Sequence, residues 1–171
     1  MTVPALDAKT GYLPHGRYRV TEDEVCARFV LASAFQGAST RASIWAEYEV
    51  ARDLLKSAIR VHGVWFGGSF TTDIVNPNDI DVVFLVSARD YARASTANKQ
   101  IVDSFVPQGS ALGVMKRRHG LKLVDSFVLN WRPWPDPSPN ADAEAAQYCA
   151  ARGKSDALRE RWLGQRRARI G

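Results

Sequence analysis

The chain has 171 residues, 46% of them apolar, and 23 Lys and Arg stand against 18 Asp and Glu, for a formal net charge of +5. That length predicts one domain with a proper core, the lack of any run of about 18 apolar residues excludes a membrane span, and the two thiols, Cys26 and Cys149, are too few for a disulfide framework. Residues 1–151 are balanced in charge, so the whole excess lies in the last twenty, where Arg152, Lys154, Arg159, Arg161, Arg166, Arg167 and Arg169 meet only Asp156 and Glu160.

Met1 to Arg19 reads as irregular chain broken by Pro4, Gly11, Pro14 and Gly16, with no apolar stretch of the secretory kind. Together with the isolated thiols this predicts a reduced, cytoplasmic protein. Thr21-Glu22-Asp23-Glu24 is a capping box opening a helix that Gly37 stops. Thr40 is placed to cap a second helix, Arg41 to Ile59, in which Ile44, Trp45, Tyr48, Ala51, Leu54, Leu55 and Ile59 recur at helical spacing while Arg41, Glu47, Arg52 and Lys56 fall largely elsewhere.

The middle of the chain is strand-like. Val61 to Phe66 is an apolar run ending at Gly67-Gly68. Ile80 to Val86 is apolar on both faces apart from Asp81, as a covered central strand requires. A helix is expected over Asp90 to Phe105, a short one over Ala111 to His119, and a third strand over Leu121 to Leu129. The proline-rich stretch from Trp131 to Pro139 predicts an extended connector, with terminal helices over Ala141 to Arg152 and Ser155 to Arg169. The expected architecture is one α+β domain over residues 1–151, with N-terminal helices (21–60), a core with a small mixed sheet (61–129), and a basic helical tail (152–171).

Chemistry concentrates in Phe66-Gly67-Gly68-Ser69-Phe70 and, beyond a polar loop, Asp79-Ile80-Asp81. Strand side chains alternate, so Asp79 and Asp81 share a face about 7 Å apart along the chain. Two carboxylates aimed together repel and call for a cation. Hard oxygen donors with room for water suit Mg²⁺, which typically takes one or two carboxylates plus substrate phosphates. Gly67 and Gly68 admit close backbone approach, and the N–H groups around Gly68 and Ser69, with the Ser69 hydroxyl, can cradle a phosphate. Both halves suit a metal-bound nucleoside triphosphate.

Gly-Ser, a loop of this length, and Asp-x-Asp at the start of an apolar strand resemble the DNA polymerase β-like nucleotidyltransferase superfamily, its small prokaryotic minimal members above all. The resemblance covers Val61 to Leu129. It implies that the sheet is of the nucleotidyltransferase type, that Gly68 and Ser69, beside Gly67, bind phosphate, and that Asp79 and Asp81 bind metal. It also implies a third acid from a neighbouring strand, for which Asp125 is the candidate. In the two-metal scheme, Asp81 and Asp125 hold the Mg²⁺ at the nucleophile and Asp79 and Asp81 the one on the triphosphate. A nucleoside monophosphate then passes from an NTP to an acceptor of one of three classes: RNA such as tRNA, a protein or a small molecule. Small members of the superfamily also belong to toxin–antitoxin and phage-defence systems, which would add an antitoxin-like protein partner.

Other residues have two readings each. The basic tail is either a contact for a phosphate-rich acceptor such as RNA or an exposed helix end without a partner. Lys116-Arg117-Arg118 either attract anions or form a solvated face. Trp131 and Trp134 either stack a base or clamp the connector. Asp73 is either near the metals or a turn residue, and His62 and His119 are general bases or partly buried polar groups. The alternative for the whole chain is a catalytically inactive nucleotidyltransferase fold binding nucleic acid or a protein partner. Such a module has no need of both carboxylates.

Overall fold

Thr21 begins the first helix as its sequence dictates. In the computed structural model, which describes residues 2–16, 18–105 and 120–131 (Trp131 by its backbone only), the Thr21 hydroxyl accepts the Glu24 N–H at 3.2 Å. The Glu24 carboxylate in turn accepts the Thr21 N–H at 2.7 Å. This capping box opens α1, Glu22–Phe29. The helix ends at Phe29 rather than near Gly37, and a separate 3-10 turn, Ser33–Phe35, follows. The ladder breaks at Leu31, whose N–H returns to Cys26 O at 3.1 Å, and the Phe29 carbonyl beyond it accepts an Arg41 N–H at 2.9 Å.

Helix α2 is Arg41–Ala58. Thr40 stands at its N-cap position without capping: its backbone is helical (φ −104, ψ −29), and capping needs an extended residue to aim the hydroxyl back at the first turn. Ile44, Trp45, Tyr48, Ala51, Leu55 and Ala58 form the buried stripe. Arg41 is buried too, only 1% exposed, against the expectation that it lies on the polar side.

Three strands follow: β1, Val61–Gly67, β2, Ile80–Ser87, and β3, Val124–Trp131. They form a mixed sheet with β2 in the centre, antiparallel to β1 and parallel to β3. The register of β1 shifts between Val61 and Gly63, so His62 is a bulge residue at the far end of the strand from Gly67. Strand β3 starts at Val124 rather than Leu121. The preceding Leu123 is held by its N–H on the Glu47 carboxylate at 2.8 Å, and its carbonyl accepts the Ile80 N–H at 2.9 Å.

The helix expected over 90–105 is two helices, α3 (Ala88–Arg93) and α4 (Thr96–Ser104). Ser87 and Ser95 each accept the N–H three residues on, so the second serine starts a new helix where the pattern alone continued one. The expected elements over 111–119, 132–139, 141–152 and 155–169 lie outside the described residues.

Alternation along β2 sends Ile80, Val82, Phe84 and Val86 into the core and turns Asp81, Val83 and Leu85 to the other face. Phe84 stacks on Tyr48 of α2 (centroids 6.3 Å) and meets Phe105, just past α4, edge-on at 5.9 Å, so both helices cover one face. Trp45 and Tyr48 also pack on Phe66. Burying each such side chain stabilises by roughly 1.5–3 kcal/mol, which fixes which face of β2 carries carboxylate. The result is an α+β fold with a small three-stranded mixed sheet. No helix among the described residues is long and apolar enough to cross a membrane.

Candidate functional site

Asp81 begins the outer face of β2, opposite α2. Its register partner on β1 is Gly67, which has no side chain, and its partner on β3 is Asp125. Register partners share a face, and neighbouring strands lie about 4.8 Å apart, so the two aspartates stand side by side. One Asp125 carboxylate oxygen is buried. The sheet thus ends in a carboxylate pair beside a buried glycine.

Gly68 closes this corner. Its backbone, φ 71 and ψ −164, lies where essentially only glycine goes. A Cβ there would come within 1.8 Å of Asp81 Oδ2, so the chain passes directly over that carboxylate. A 3-10 turn, Ser69–Thr71, follows. Its hydrogen bonds begin with Thr71 N–H and hydroxyl on Gly68 O and Thr72 N–H and hydroxyl on Ser69 O. Within the turn, the Ser69 and Phe70 N–H groups are therefore not consumed. The turn that carries these amides and the Ser69 hydroxyl thus follows directly on the glycine that lies against Asp81, and groups of these kinds can bind an anion and a hard cation respectively.

The remaining predicted residues are placed less closely. Asp79, partly exposed, stands just before β2. Among the described residues no group of three or more His, Cys, Asp or Glu side chains lies close enough to hold a metal ion, so Asp79 is not gathered with Asp81 and Asp125. Asp73 is exposed and fastens the loop to the N-terminal segment: its N–H donates to Gly11 O at 2.9 Å, and Gly11, at φ 70, lies against its carboxylate. His62 is exposed, with Nε2 3.4 Å from Asp90 Oδ2, at the wrong end of β1 to serve as a base. Lys116-Arg117-Arg118, His119, Trp134 and the basic tail lie outside the described residues, as does the side chain of Trp131.

Arg41 is the residue the sequence concealed. Its guanidinium sits under the loop linking Gly68 to Asp79 and donates to five carbonyls: Nε to Val75 (3.2 Å), Nη1 to Phe29 and Phe70 (2.9 and 2.8 Å), and Nη2 to Thr72 (3.0 Å) and Ile74. It also lies 3.7 Å above the Phe35 ring centroid. Burial pulls its pKa down to about 10, opposed by the Asp73 carboxylate, so it stays a cation at neutral pH. Helical periodicity assigns an arginine to the polar side, and nothing local reveals a nest of carbonyls from a loop thirty residues on.

Residues 4–167 match the model of DUF6932, a family of unknown function, and the chain belongs to that family. No curated protein and no solved structure matches it.

Proposed function

We propose that this member of DUF6932 is a nucleotidyltransferase, moving a nucleoside monophosphate from a nucleoside triphosphate to an acceptor hydroxyl. The observation that carries the reading is the contact of Gly68 with Asp81, whose strand partner is Asp125: a phosphate-cradling turn and a carboxylate pair meet at one corner. A turn alone, or an acidic pair alone, would have many explanations. Their meeting supports the resemblance of this segment to the DNA polymerase β-like superfamily.

In this reading the acceptor hydroxyl gives up its proton to solvent as its oxygen bonds to the α-phosphorus, the α–β bridging P–O bond breaks, and pyrophosphate leaves with that electron pair. The N–H groups of Ser69 and Phe70 and the Ser69 hydroxyl hold phosphate oxygens. Gly68, having no side chain, lets the turn lie directly against the Asp81 carboxylate. The donor set fits Mg²⁺ through its carboxylate pair, since Asp81 and Asp125 offer adjacent hard oxygens, while Asp79 stands just before β2 and apart from them. When bound, such ions neutralise the triphosphate and lower the pKa of the attacking hydroxyl. The arginine-rich sequence from 152 to 171 favours a phosphate-rich acceptor such as RNA, with binding that weakens as salt rises.

The test is label transfer from each NTP, labelled at the α-phosphate, with Mg²⁺ and RNA, protein or small-molecule acceptors. Wild type should transfer label, and Asp81→Asn should lose roughly a hundredfold or more in rate. Equal transfer by both rejects the site. NTP binding without turnover in wild type favours the inactive binding module.

A further inference from the structure

We infer that Arg41 is the positioning residue of this site: one buried cation fixes the loop whose two ends carry Ser69 and Asp79. The inference rests on the reading above for what the loop binds, but its geometry stands independently. A guanidinium has five N–H donors, and all five are used here, four of them on carbonyls of the single loop segment from Phe70 to Val75. The fifth ties the same group to the end of α1 at Phe29. No carboxylate takes part in these bonds, so the cation is not one half of a buried salt bridge. Its compensation is a ring of peptide dipoles.

That ring has a direction. In a trans peptide the C=O and the following N–H point opposite ways. Drawing the carbonyls of Phe70, Thr72, Ile74 and Val75 inward turns the amides of Thr71, Asp73, Val75 and Asn76 away from Arg41. Two of these are used at once: Thr71 N–H closes the glycine turn on Gly68 O, and Asp73 N–H fastens the loop to Gly11 O. The loop's outer side is left with Ile74 and Val75 exposed, 38% and 48%, although the backbone beneath them is anchored. Arg41 therefore acts through the backbone and touches no reacting atom. It sets where Ser69 stands relative to Asp79 and Asp81.

Lysine keeps the charge but offers three donors on a flexible stem, so it cannot hold five carbonyls. The experiment compares wild type, Arg41→Lys and Arg41→Met by thermal melting, by amide hydrogen exchange resolved over residues 69–79 and 80–87, and by calorimetric titration with Mg²⁺ and each NTP. The expected result for a folded Arg41→Lys is faster exchange in 69–79, unchanged exchange in 80–87, and Mg·NTP affinity lower by about tenfold for each lost charge-assisted bond that bears on Ser69 or Asp79. Loop exchange equal to wild type in a folded variant overturns the inference, whatever the nucleotide data. A wild type that binds no NTP instead refutes nucleotidyl transfer, and the exchange data then judge the loop anchor alone. Should both variants fail to fold, NMR of the wild-type guanidinium decides. Five separate, slowly exchanging N–H signals support the inference, and averaged, fast-exchanging ones overturn it.

Discussion

Replacing Gly68 by alanine asks two separate things of the chain. The backbone at φ 71 and ψ −164 is nearly closed to a residue with a Cβ, a strain of about 1–3 kcal/mol. The new methyl would also lie 1.8 Å from Asp81 Oδ2 and 2.8 Å from Asp81 Cγ, where ordinary contact begins at 3.4 Å. Moving a carboxylate that far in a strand end adds an overpacking cost of about 1–3 kcal/mol. The expected loss is therefore about 2–6 kcal/mol. Gly37→Ala separates the two effects, because Gly37 has φ 86 and nothing within 4 Å of an added Cβ. It should lose only the left-handed strain, about 1–2 kcal/mol. Urea denaturation of both variants, and of Gly68→Ala in an Asp81→Ala background, completes the comparison. Without the Asp81 carboxylate the nearest atom of that side chain is Cβ, at 3.3 Å, so the double variant should cost less than the sum of its parts. Equal losses at Gly68 and Gly37, or strict additivity with Asp81→Ala, would show that the glycine turn does not rest on that carboxylate.

Other consequences are more local. Thr21→Ala removes the reciprocal cap of α1 and should cost about 1 kcal/mol in denaturant unfolding; no change would mean that the cap does not hold the helix. Glu47→Ala frees the Leu123 N–H at the start of β3 and should cost about 1–3 kcal/mol, with faster exchange at Leu123 as the local signature. Burial, then the nearby Glu22 charge, raises the Tyr48 pKa above the ordinary phenol range. The unfolded chain therefore releases that proton first, and the contribution of Tyr48 to stability is complete below about pH 10 and lost as pH rises beyond it. Tyr48→Phe should flatten the alkaline limb of the stability curve, leaving the smaller share from the raised Cys26 and Tyr91 groups. An unchanged alkaline limb would contradict it.

Where local chemistry decides, the sequence was legible. The capping box at Thr21, the stripe of α2, and the apolar runs of β1 and β2 all rest on neighbours within a few residues, and each element stands where those neighbours put it. The pairing of Asp81 with Asp125 was approachable because β3 has a single carboxylate, although only the register shows them side by side. The rest depends on distant partners. Arg41 looks polar on a helical wheel because its five acceptors come from Phe29 and from a loop after β1. The same guanidinium holds the last carbonyl of α1. At Ala94-Ser95 two good helix patterns abut, and only the bond from Asn98 N–H to the Ser95 hydroxyl shows that a new helix begins.

The mixed sheet carries a consequence for the order in which the site comes into being. β1 and β2 are joined by residues 68–79 alone and pair antiparallel, a local closure. β3 pairs parallel to β2 and must first cross over through residues 88–123. On the ribosome, the glycine turn and Asp81 can meet while Asp125 has yet to be synthesised. Half of the acidic pair is thus installed early and the other half only when β3 docks. A nascent chain stopped before Val124 lacks the second carboxylate, so the acidic pair exists only once β3 has docked.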